Sequence, residues 1–219
     1  MNSPGRDPMR EPVHNPVGSG LPPARTGLLV FDMLEAYRSR IEQAGTLGPV
    51  RRLVEACRTQ GVPIFFARAD HRPDGADLAR TRTDTDDRLR PWTPERPQPD
   101  RPAHGSGSPQ LRVLRELAPR PADYDVPKHR WSAFFGSHLE LSLRSRGVDT
   151  LLLVGGSTHV GIASTAYAAR DMDFQVVVVR DGCHGFAEQR EFFLERVFPR
   201  MCRVRTTGQV IAALEGDSL

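Results

Sequence analysis

The sequence predicts a doubly wound α/β fold, and three observations carry that prediction. Short apolar segments, bounded by glycine, proline or charged residues, recur six times along the chain. Stretches with helical spacing fall between them, and such alternation is the pattern of a parallel sheet covered on both faces. Polar and glycine-rich segments follow the carboxyl ends of the strands, where ligands bind in sheets of this kind. A chain of 219 residues suits one domain.

Order is expected to begin at Thr26. Residues 1–24 hold six prolines and no apolar run, and read as a disordered or loosely draped arm ahead of a domain spanning 25–219. Gly27-Leu-Leu-Val-Phe31 forms the first strand and stops at Asp32. A helix follows over 47–60, with Val50, Leu53, Val54 and Cys57 at i, i+3, i+4 and i+7, and Gly61 ends it. Residues 62–67 make the second strand. Residues 68–109 are polar, with Arg, Asp and Pro throughout. A connection of that length is expected to be a lid, a substrate loop or an interface arm.

Beyond it, a short helix is expected over 109–117 and a short strand over 124–126. A helix over 134–146 ends at Gly147, and a strand covers 150–154. Gly155-Gly156-Ser157-Thr158 then opens a helix over about 160–170. Residues 174–179 form the most β-prone strand. A helix at 187–198 precedes a last strand at 202–205, and Thr206 or Thr207 caps a final helix running to about 214.

No apolar run approaches the ~20 residues that cross a bilayer, and the amino-terminal segment lacks the apolar centre of a secretory signal. Cys57, Cys183 and Cys202 are odd in number and show neither metal nor Cys-x-x-Cys spacing, which fits a reduced, cytoplasmic compartment. Lys and Arg total 30 against 27 Asp and Glu, with the two signs interspersed, so neither nucleic acid nor membrane is indicated as a partner. Among those 30 cations only Lys128 is a lysine. A lone lysine in so arginine-rich a chain either survives by chance or marks a place where a compact ammonium fits and a planar guanidinium does not.

Three features fall on the ligand-binding edge. Asp32 ends the first strand, where partial desolvation raises a carboxyl toward a useful acid–base range. The plainer alternative is an Asp that caps a helix or satisfies loop amides. Lys128 follows the third strand, placed to hold a carboxylate ionised or to bind an anionic substrate, unless it is a surface lysine. The turn over 155–161 presents backbone N–H groups at a helix start, which suit an oxyanion or a bound carboxylate, although a tight strand–helix connection needs glycines too.

Taken together, Asp32 after an apolar strand, Lys128-His-Arg-Trp-Ser-Ala-Phe-Phe135 and Gly155-Gly-Ser-Thr-His-Val-Gly161 resemble the isochorismatase-like hydrolase superfamily over roughly 26–214. Segments 143–150 and 176–181 match as well. The resemblance implies a three-layer α/β/α sandwich around a six-stranded, mainly parallel sheet, with a cis peptide at Gly156–Ser157. Most members are cysteine amidohydrolases, whose nucleophile begins the helix after the fourth strand. Here that position is Gly161, so thiol-based amide hydrolysis is not expected. The branch without the thiol, the isochorismatases proper, carries a His-Ile/Val-Gly pattern that His159-Val160-Gly161 resembles.

On that resemblance Asp32 is the general acid of a vinyl ether cleavage that releases pyruvate, Lys128 is its electrostatic partner, and Gly161 completes the catalytic set. Ser157, Thr158, Arg130, His71 and Trp92 are expected to contact a small anionic substrate, Trp92 from the chain's own long loop or a neighbouring subunit's. Ser157 and Ala69 stand where isochorismatases carry Tyr and Gln, which implies a substrate other than isochorismate, in secondary metabolism such as antibiotic biosynthesis. The stretch 69–77 looks instead like the substrate loop of amidase members. Nicotinamidases bind a metal through Asp-x-His and a further loop His. Here Asp70 and His71 are adjacent, and the next His is His104, so no metal and no other cofactor is expected. A lyase or decarboxylase step, or an inactive small-molecule-binding member, are the alternative readings. The resemblance also implies a homodimer or homotetramer.

Overall fold

The computed structural model describes residues 20–86, 88–98 and 107–216. Six strands form one sheet: β1 (Thr26–Phe31), β2 (Ile64–Ala69), β3 (Tyr124–Lys128), β4 (Thr150–Gly156), β5 (Gln175–His184) and β6 (Arg203–Arg205). Their order is β3-β2-β1-β4-β5-β6, and every neighbouring pair is parallel. The principal helices are α1 (Arg38–Gln43), α2 (Leu47–Thr59), α3 (Leu139–Ser145), α4 (Ala163–Asp171), α5 (Ala187–Phe192) and α6 (Thr207–Leu214).

Strand periodicity explains the layers. Side chains alternate between the two faces. Leu29 and Phe31 of β1 therefore join one core with Leu139, Leu143, Ala163 and Ala166, while Leu28 and Val30 join the other with Val50, Leu53, Val54 and Val210. Both faces of β1 and β4 are covered, which is why these strands read as unbroken apolar runs. The result is the expected three-layer α/β/α sandwich. Its strand order reverses between β1 and β4, and that reversal opens a crevice beyond their carboxyl ends. Asp32 lies at one side of it and the turn after β4 at the other.

Several elements differ from expectation for local reasons. The third strand continues to Lys128, and the fifth to His184. The helix expected from 134 starts only at Leu139, because Gly136 takes a left-handed conformation that interrupts it. Residues 109–117 form two 3-10 turns instead of a helix. Between them the backbone pairs with the segment after β1: Leu114 N–H donates to the Met33 carbonyl at 2.9 Å, and Val113 bridges Leu34. Helix α4 is preceded by a π-helical turn, Thr158–Ile162, and α5 runs on through another, Phe193–Val197. Thr206 caps α6 with a reciprocal bond from Gln209, as the sequence suggests.

Residues 1–19 lie outside the described residues, and so does most of the arm expected over 1–24. The last part of that arm is not loose, since Leu21 is buried and its N–H donates to the Ala213 carbonyl. The long connection is irregular where it is described, with short bridges at Thr85–Pro91 and Thr93–Arg96. Among the described residues, no helix is long and apolar enough to cross a membrane.

Gly155 shows how tightly β1 and β4 meet at the crevice. Its φ is +107°, and a Cβ there would lie 1.9 Å from the Phe31 carbonyl oxygen. Gly155→Ala is expected to lose roughly 3 kcal/mol or more, because the obstacle is backbone. Gly147→Ala, with φ +69° and nothing within 4 Å, is expected to lose only about 1 kcal/mol. Urea denaturation of both variants measures the difference, and equal losses would show that the contact with β1 is not the constraint.

Candidate active site

Asp32 follows the last residue of β1 and has φ +47°, a left-handed conformation that Asp tolerates better than most residues. Its own N–H donates to the Ala67 carbonyl at 2.8 Å, which ties the turn to β2. The side chain is fixed at both oxygens. Oδ1 accepts the Ala69 N–H at 2.9 Å, and Oδ2 lies 2.8 Å from Lys128 Nζ. Asp32 is 7% exposed and Lys128 6%.

The sheet order explains why a lysine does this. Lys128 ends β3, and β2 stands between β3 and β1. Neighbouring strands are about 4.8 Å apart, so the two backbones are separated by roughly 10 Å. A long side chain is required to span that gap. Lys128 Nζ also sits 4.4 Å from the centre of the Phe31 ring, a cation–π contact that favours the ammonium in a dry place. Burial pushes the Asp32 carboxyl above its ordinary value, while the Lys128 ammonium and the Ala69 N–H pull it part of the way back. The net direction is upward, toward a group that can deliver a proton. Tyr37 lies close enough for the Asp32 charge to add to the upward push that burial gives its phenol.

Across the crevice, β4 ends in a cis peptide between Gly156 and Ser157. Ser157 Oγ lies 3.4 Å from His159 Nδ1. Thr158, expected to touch substrate, is fully buried, and its hydroxyl donates to the His184 carbonyl at 2.8 Å, so it pins the turn to β5. His184 itself is buried, and desolvation lowers its pKa to about 4, so the ring is neutral at neutral pH. Gly161 packs on Phe31: a Cβ at 161 would lie 2.2 Å from Phe31 Cε1 and 2.5 Å from Cζ.

The loop after β2 closes the third side. His71 Nδ1 is 3.6 Å from Asp77 Oδ1, and His129 Nδ1 is 3.2 Å from Asp77 Oδ2. One donor atom from each of His71, Asp77 and His129 lies within 4.8 Å of the others. The sequence showed no such cluster, because His129 arrives from the end of β3 and not from the loop. Burial lowers the pKa of His71. Arg130 is exposed and its Nη1 donates to the Asp77 and His129 carbonyls, at 2.7 Å each, so it braces this loop. Trp92 lies within the long connection, its indole N–H donating to Thr83 Oγ1 at 3.0 Å and its ring under Arg96. The structure thus joins Asp32, Lys128 and Gly161 around Phe31 and sets Ser157 and His71 on the flanking turns. Trp92 makes its contacts inside its own loop. Phe31, Tyr37, Asp77, His129 and the Ala69 N–H are members of this site that the sequence alone does not single out.

Cys57 and Cys183 are buried and Cys202 half-buried, and burial pushes all three thiols up to about 12. Each is therefore held as a neutral thiol.

The Isochorismatase domain family model matches residues 26–209. The chain belongs to the isochorismatase family. It is 32% identical over 194 residues to YwoC, an isochorismatase family protein of Bacillus subtilis (strain 168), covering 85% of this chain and 93% of that one. It is 29% identical over 210 residues to the ureidoacrylate amidohydrolase RutB of Pseudomonas syringae pv. syringae (strain B728a), covering 88% and 86%. An isochorismatase family protein from Burkholderia thailandensis has a similar solved structure, with TM-score 0.71, 28% identity, and coverage of 90% of this chain and 98% of that one. The six-stranded α/β sandwich and the hydrolase character are those of this family.

The contact between Phe31 and Gly161 is testable as a pair. Gly161→Ala is expected to lose about 2–3 kcal/mol by overpacking. Added to Phe31→Leu, which removes the ring, the same change is expected to cost at least about 1 kcal/mol less. A double-mutant cycle in urea measures that coupling, and additive losses would mean that the ring is not what forbids a side chain at 161.

Proposed function

We propose that this isochorismatase-family hydrolase cleaves the vinyl ether of a small anionic metabolite, with Asp32 as general acid. One observation carries the reading. A dry carboxyl–ammonium pair, 2.8 Å apart, stands beside Gly161, where a Cβ would lie 2.2 Å from the Phe31 ring. Such a pair can move a proton, and the glycine beside it supplies no thiol for an acyl-enzyme. The likeness of His159-Val160-Gly161 to the branch of the family without the thiol supports the same chemistry.

In this reading Asp32, as the carboxylic acid, gives its proton to the terminal methylene carbon of an enolpyruvyl ether. The double bond supplies the electron pair for the new C–H bond and leaves an oxocarbenium ion. Water adds to that carbon and loses a proton, which restores the acid. The hemiketal then collapses to pyruvate and an alcohol, so the net consumption is one water. Lys128 fixes the orientation of Asp32, and its charge suits a substrate carboxylate nearby. Ser157, where isochorismatases carry Tyr, and Ala69, where they carry Gln, favour a substrate other than isochorismate. The names of the RutB relatives favour amide hydrolysis as a second reading. The buried, neutral state of the thiols weighs against its thiol-dependent form.

The test is pyruvate release from small enolpyruvyl ethers, coupled to lactate dehydrogenase. Asp32→Asn is expected to lower turnover by about 10²–10⁴-fold, because an amide delivers no proton. Lys128→Arg is expected to be damaging as well, since a planar fork cannot take the ammonium's place without moving the carboxyl. Iodoacetamide is expected to leave activity largely intact. The protonated form of Asp32 is the working one, so kcat/KM should be level at low pH and fall as pH rises through the Asp32 pKa. An active Asp32→Asn variant combined with inactivation by alkylation would sink the mechanism in favour of a thiol.

A further inference from the structure

We propose that His71, Asp77 and His129 form a binding site for a divalent first-row transition-metal ion beside the Asp32–Lys128 pair. The inference concerns metal binding and does not depend on the vinyl ether reading. The three donors come from two segments that the sheet brings together. Ala69 and Lys128 are register partners at the ends of β2 and β3, and Asp70 N–H donates to the Lys128 carbonyl at 3.0 Å. His71 and His129 follow these residues directly, and their ring centres lie 5.9 Å apart.

The Asp77 carboxylate lies between the two imidazoles, one oxygen toward each, at 3.6 and 3.2 Å from the nearest ring nitrogens. Donors bound to one ion at about 2.1 Å are themselves roughly 3.0–3.4 Å apart. The spacing here, at most 4.8 Å, needs only a small closure. His71 Nδ1 is buried and makes no hydrogen bond. A buried polar atom without a partner is costly, and coordination supplies the partner. The surrounding bonds hold the carboxylate in place. Arg72 N–H donates to Asp77 Oδ1 at 3.1 Å, and Arg130 grips the Asp77 carbonyl at 2.7 Å. His129 Nδ1 also meets the Asp70 carbonyl, and a metal there exchanges with the proton that this nitrogen would direct at it.

Two imidazoles and one carboxylate suit Zn²⁺, Fe²⁺, Mn²⁺, Co²⁺ or Ni²⁺, and three protein donors leave coordination positions for water or an anionic oxygen ligand. This donor set is not the Asp-x-His pattern considered for the sequence. Asp77 and His129 both lie outside that pattern, and Ala69 occupies its carboxylate position.

The experiment uses the whole chain, stripped with EDTA and dialysed, then titrated with Co²⁺ alone. Visible d–d absorption reports coordination, and calorimetry with Zn²⁺ gives stoichiometry. One ion per chain is expected, with affinity falling at least roughly 10-fold in Asp77→Asn and in His129→Ala. His138→Gln, which changes a histidine bonded to the Asp125 carbonyl near the start of β3, is expected to bind like the parent. Circular dichroism checks that each variant is folded. No absorption and no heat at millimolar metal would overturn the proposal, and so would one-site binding that survives both ligand variants. Because the readout is metal binding and not turnover, its failure would leave the pyruvate assay and its conclusion untouched.

Discussion

The site depends on one ion pair made across an intervening strand. Asp32 and Lys128 belong to strands that do not touch, and β2 lies between them. The parallel register fixes both strand ends at one level, so a lysine side chain can close the distance. Each charge is out of water, and each would be costly alone. The pair therefore acts as a clamp on the top of three strands, with the Ala69 N–H as its third member. That arrangement also explains the carboxyl's upward shift. Burial acts on it fully, whereas one ammonium and one N–H compensate only in part.

The second constraint is the closeness of β1 and β4 at the point where the strand order reverses. Phe31 is the residue through which it acts. Its carbonyl forbids a Cβ at Gly155, its ring forbids one at Gly161, and the same ring faces the Lys128 ammonium. A single residue, through its main chain on one side and its ring on the other, thus shapes both walls of the crevice. The glycines of the turn follow from this packing as much as from any need to bind an anion. Thr158 and His184 then lock the turn to β5 from behind.

Much of this was legible in the sequence. Asp32 and Lys128 were visible because strand ends can be read from apolar runs, and because one lysine among many arginines is conspicuous. The sheet and its layers were visible because β1, β4 and residues 176–179 of β5 are buried on both faces and carry no polar alternation. Helix limits were less legible. Gly136 ended one helix at its start, and pairing of Val113 and Leu114 with residues after β1 replaced another, a tertiary preference that spacing does not record. Phe31 was hidden because a phenylalanine closing a strand reads as core, which it also is. The Ala69 N–H was hidden because a backbone donor has no signature in residue identity.

The grouping of His71, Asp77 and His129 was illegible for a different reason. A ligand pattern confined to one loop is a statement about sequence distance, whereas parallel strands make sequence distance nearly irrelevant at their shared edge. β2 and β3 end side by side, so the residue after each strand meets the residue after the other, however long the connection between them. The same geometry places Asp32 next to Lys128. In this fold, then, chemistry is to be sought by aligning strand ends with one another. A residue one or two positions past one strand should be read against residues one or two positions past its neighbours. By that rule Asp32, His71 and His129 belong to a single row, and the long polar connection contributes Asp77 by folding back over it.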